Sequence, residues 1–126
     1  MSKVTDFITH NVNFLNNIQS YHWQTENFAE HEQLNEYHQK FDKLNDEFVE
    51  AYQGKIGQRI KFSAELRPGI MNYADNPQVA GDVQKHAQYI IEFSKIPEVQ
   101  GHMDLESVLE DMLLATNQLL FHLTLK

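Results

Sequence analysis

The sequence predicts an all-α fold, a four-helix bundle with one long connection, and three observations predict it. Four stretches carry apolar residues at steps of three and four, the mark of a helix with one buried stripe. Of the links between them only the middle one, Lys55 to Asn76, is long. Hydrophobic residues fill 41% of the 126 positions, enough for a core, and the length fits a single domain spanning 1–126.

The first helix is read from Val4, Phe7, Ile8, Phe14, Leu15, Ile18 and Tyr21. Asn27 followed by Glu30 resembles a capping box and opens the second, which carries Leu34, Tyr37, Phe41, Leu44 and Phe48 before Gly54. The pattern then weakens; Arg67-Pro68-Gly69 and Asp75-Asn76-Pro77 mark a connection that crosses the bundle, with a short helix expected near Ile60. Asn76 as N-cap and Pro77 at the first helical position start the third helix, with Val79, Val83, Ile90 and Phe93 on its stripe and Pro97 closing it. The fourth, capped near Asp104, carries Leu105, Val108, Leu109, Met112, Leu113, Leu119, Leu120 and Leu123. Helices of about 20 to 25 residues, two short turns and one long link match a bundle with a single crossover.

Charge and composition exclude several function classes. The net charge of −8 repels phosphate backbones and anionic lipid, so neither nucleic acid nor a membrane is expected as partner. With no cysteine there is no disulfide framework, thiolate metal site or cysteine nucleophile. The start Met1-Ser2-Lys3-Val4 lacks the form of a signal peptide, and no apolar run reaches membrane length, so a soluble cytoplasmic protein is expected. Hydrolase motifs such as Gly-x-Ser-x-Gly and His-Glu-x-x-His are missing.

Seven histidines direct attention to metal chemistry. His10, His102 and His122 read as solvated or locally bonded, and His86 as a satisfied, half-buried residue of the third helix. His22 and His31 differ: one ends the first helix, the other begins the second, and a short turn makes them neighbours. Asp46 and Glu50 share a face further along the second helix, off its apolar stripe. His31 and Asp46 stand about 22 Å apart along the axis, too far for one ion in one chain. Two copies packing this helix antiparallel about a two-fold axis bring His22 and His31 of one against Asp46 and Glu50 of the other. His38 and Asp42 form a further pair at helical spacing, read as a surface contact.

His22-Trp23, a short turn, His31-Glu32, then Asp46 and Glu50 resemble the pattern of Dps, the mini-ferritins of bacteria, over roughly residues 16–52. The resemblance implies a ferritin-like bundle, a homodimer through the second helix or a larger shell, and an intersubunit site oxidising Fe(II) with peroxide or oxygen for iron storage or oxidative protection. It assigns His22, His31, Asp46 and Glu50 as metal ligands and Trp23 as a radical quencher. Zinc or manganese suits the same donors. Asn35 stands where the family usually has Asp, which lowers the expected affinity for iron. The DNA-holding lysine tail of many Dps proteins is lacking, and no histidine follows a Glu by three residues, so the intrachain di-iron pattern does not apply. The alternative is a non-catalytic ferritin-like bundle for interaction or assembly, of the kind found in bacterial and phage genomes.

Overall fold

The computed structural model describes residues 2–62 and 72–125. Four helices, α1 (Ser2–Gln24), α2 (Phe28–Ile56), α3 (Asn76–Phe93) and α4 (Met103–Thr124), pack as a bundle, with no strand among the described residues. Each forms where the apolar spacing places it. The whole stripe of α1 is buried, as are Leu34, Tyr37, Phe41, Leu44 and Phe48 of α2, Val79, Val83, Ile90 and Phe93 of α3, and Leu105, Leu109, Met112, Leu119 and Leu123 of α4. Phe7, Phe41 and Phe48 are fully buried, each worth about 1.5–3 kcal/mol of transfer free energy. No described helix is long and apolar enough to cross a membrane.

The ends of the helices differ from the expected ones for local reasons. Asn27 caps α2 as expected, its Oδ1 accepting the Glu30 N–H at 3.0 Å. The reciprocal half of the box does not form: Thr25 Oγ1 takes the Asn27 N–H, and the Glu30 carboxylate accepts from Tyr21 at 3.1 Å and Asn76 at 3.0 Å. Helix α2 runs past Gly54 to Ile56, because the left-handed residue is Gly57, at φ 71°, whose N–H reaches Gln53 O at 2.9 Å. Ile60 lies beyond that stop and is not helical; its N–H is held by the Gln53 side chain at 3.0 Å. Asp75, not Asn76, caps α3, its carboxylate accepting the Gln78 N–H at 3.0 Å while the Asn76 amide serves Glu30. Helix α3 stops at Phe93, ahead of Pro97, where the Ser94 hydroxyl donates to Ile91 O at 2.6 Å. His102 holds the cap position of α4 without a side-chain bond, and Asp104 sits inside the first turn. The Arg67-Pro68-Gly69 punctuation lies outside the described residues.

Helix α1 packs on α2, α2 on α4 and α4 on α3; α1 and α3 are also neighbours, with the fewest close backbone approaches of the four packed pairs. The end of the α2-to-α3 connection is tied back to the α1–α2 turn. Gln24 donates to Asn72 at 2.9 Å and accepts the Tyr73 N–H at 3.2 Å, and Asn76 reaches Glu30. Helix α3 therefore starts at the end of the bundle where α1 finishes and α2 begins.

Aromatic rings, not close backbones, fill the α1–α3 seam. Phe7 stacks on Phe93 with centroids 3.8 Å apart, His10 lies 4.1 Å from Tyr89, and Phe14 stacks on His86 at 3.8 Å. Rings of this size hold the two helices apart, which accounts for their distant backbones.

Candidate metal centre

The turn Thr25–Asn27 folds α1 back on α2 and sets His22 against His31. Their rings stack with centroids 3.8 Å apart and planes 19° from parallel. Each ring also bonds the other residue's backbone: His22 Nδ1 lies 2.7 Å from His31 O, and His31 Nδ1 lies 2.7 Å from His22 O. A carbonyl oxygen only accepts, so Nδ1 carries the proton on both rings, and in the neutral imidazole Nε2 holds the free lone pair. That tautomer is the one a metal-binding histidine adopts when a backbone carbonyl orients it. Two nitrogen donors thus share one small patch, both rings half-buried. A hollow of about 310 Å³ beside them is lined by Thr25, Glu26, Asn27, Phe28 and His31.

The remaining residues singled out by the sequence lie elsewhere on the surface. Trp23 is 69% exposed and Phe28 72%, flanking the histidine pair across the turn. Glu32 and Asn35 are exposed on the outer face of α2, followed along it by Asp42, Asp46, Glu47 and Glu50. Among the described residues no three His, Asp or Glu side chains come close enough to share an ion. The structure therefore brings His22 and His31 together and leaves Asp46 and Glu50 apart from them, within one chain.

His38 belongs electrically to this region. Burial holds its ring below the usual histidine range; the Asp42 carboxylate opposes that and His22 adds to it. The expected His38–Asp42 pair thus acts through charge, and His22 is a neighbour that the sequence did not point to.

The family model of DUF5856, a family of unknown function, matches residues 22–123. The chain belongs to that family. The DUF5856 match opens on His22 and takes in Trp23, His31, Asn35, Asp46 and Glu50. No curated protein and no solved structure matches this DUF5856 chain.

His86 does not fit its expected role. It is 2% exposed rather than half-buried, and neither ring nitrogen has a hydrogen-bond partner among the described residues. Its place on the α3 stripe signals burial, but partners depend on the helices packed opposite, and those offer Phe14 and Phe41.

Proposed function

We propose that the chain is a ferritin-like, Dps-like iron-binding protein whose site is shared between two copies packed antiparallel through α2. His22 and His31 of one copy supply imidazole nitrogens, and Asp46 and Glu50 of the other supply carboxylates, a donor set suited to Fe(II) and equally to zinc or manganese. Asn35 lies on the same outer face as a neutral oxygen donor. Iron enters as substrate: each Fe(II) yields one electron, and one peroxide takes two electrons and two protons to give two waters. Trp23, exposed beside His22, would be the quencher of stray radicals in this reading.

The observation that carries this reading is the reciprocal Nδ1-to-carbonyl bonding, which leaves Nε2 as the lone-pair donor of both neutral rings. The return of residues 72–76 to the α1–α2 end supports the ferritin-like order, because a single long connection must then span the bundle. A second reading, a bundle that serves interaction or assembly, is favoured by the exposure of Trp23 and Phe28.

The test is anaerobic Fe(II) titration, then peroxide or air, with mass read by light scattering on the same sample. Saturable binding near one iron per chain with rapid oxidation is expected. Asp46→Ala should remove binding while leaving a folded bundle, since its side chain is exposed and the apolar stripe is untouched. Undiminished binding by Asp46→Ala rules out the shared site.

A further inference from the structure

The α1–α3 seam contains a histidine that the bundle can hold in one protonation state only. Among the described residues His86 has no partner on either nitrogen, and its ring lies flat on Phe14, 3.8 Å between centroids and 6° between planes. Phe41 of α2 meets its face edge-on at 5.4 Å. Tyr89 of α3 and His10 of α1 are further ring neighbours, His10 nearly parallel at 5.3 Å. A neutral imidazole in this setting leaves one donor and one acceptor unmet. An imidazolium would leave two charged donors unmet, with no carboxylate or carbonyl of the described residues in hydrogen-bond reach.

We propose that the α1–α3 seam is an acid-operated latch: a proton taken by His86 parts α3 from α1 while the α1–α2 hairpin stays closed. The seam is the right one to part because α1 and α3 are the neighbouring helices whose backbones approach least, and because stacked rings fill the space between them. Of the groups facing His86, His10 is the titratable one that acts on its charge; α2 presents Phe41, and on α3 Tyr89 is neutral throughout the acid range. Asp6, one turn before His10, acts on Tyr89 instead. Burial, aided by the His10 charge, pushes His86 down to about 3 from 6.5. The open state binds the proton near 6.5 and the closed state near 3, so the latch is fully closed above 6.5 and loosens as pH falls through that window.

The experiment is an acid titration of the whole chain, read by histidine ring NMR and by amide hydrogen exchange along α3, corrected for intrinsic exchange. The expected result is a His86 ring that stays neutral in the closed form while opening of residues 79–90 rises about tenfold per pH unit below 6.5. His86→Phe keeps a ring in the stack and should abolish that pH dependence; His10→Gln should keep it. The latch is overturned if His86→Phe opens with the parent's pH dependence, or if the dependence vanishes in His10→Gln alone. Should His86→Phe fail to fold, the parent decides: a His86 ring protonated near pH 6 with α3 exchange unchanged overturns it equally. None of these readouts requires metal.

Discussion

The Tyr37 hydroxyl lies 2.8 Å from Thr116 Oγ1, and the Thr116 hydroxyl donates to Met112 O, also at 2.8 Å. Tyr37 is therefore the donor to Thr116, and burial raises the phenol's pKa, keeping that proton in place. Replacing Tyr37→Phe removes this one donor and leaves the ring packing against Phe14 and Phe41, so urea unfolding should show a loss of about 1 kcal/mol. A loss beyond about 3 kcal/mol means that the ring itself moves. At this scale the sequence tells where side chains lie but not whom they meet. Tyr37 and His86 both sit on apolar stripes, and both are buried. Only packing decides that Tyr37 faces a threonine and His86 faces phenylalanines. The His22–His31 juxtaposition was legible because so short a turn must bring a helix end beside the next helix's start. Their exchange of bonds with each other's carbonyls was not, because it depends on both rotamers.

Helix boundaries follow competition between neighbouring candidates. Gly54 and Gly57 both qualify as a stop for α2, and the left-handed backbone falls at Gly57. Gly57→Ala should cost about 1 kcal/mol, since a Cβ is strained at φ 71° even with open space around it. Gly54→Ala lies within α2, where an added Cβ meets nothing within 4 Å, and should stabilise by up to about 1 kcal/mol. Thermal melts of the two variants, shifting in opposite directions, check both. Asp75 and Asn76 pose the same choice for α3. Asp75 has the extended backbone of a cap and accepts the Gln78 N–H, while Asn76 lies within the helix and gives its amide to Glu30. A periodic pattern reads an element well because it averages over many residues; a cap rests on one bond.

For the whole molecule the acidic surplus divides between α2 and α4, and on α2 carboxylates share the exposed surface with Lys40 and Lys43. Glu32, Asp42, Asp46, Glu47 and Glu50 outnumber those lysines, so two such faces carry like net charge that cations between them would offset. The mass by light scattering should therefore be higher with Fe(II) or Zn(II) than after chelation, and added salt should lessen the difference. A mass unmoved by metal separates association from the site. The same arrangement fixes an order of assembly. The His22–His31 clasp and the Tyr21–Glu30 bond join residues nine positions apart, so little chain entropy is lost in closing them. The seam between His10 and His86 closes a loop of seventy-six positions and can form only after α3 has arrived. Substitutions in the seam should then act chiefly on the unfolding limb of a chevron plot, while those in the clasp slow refolding. The hairpin that carries the paired histidines is in this way the part of the chain that needs the rest of the bundle least.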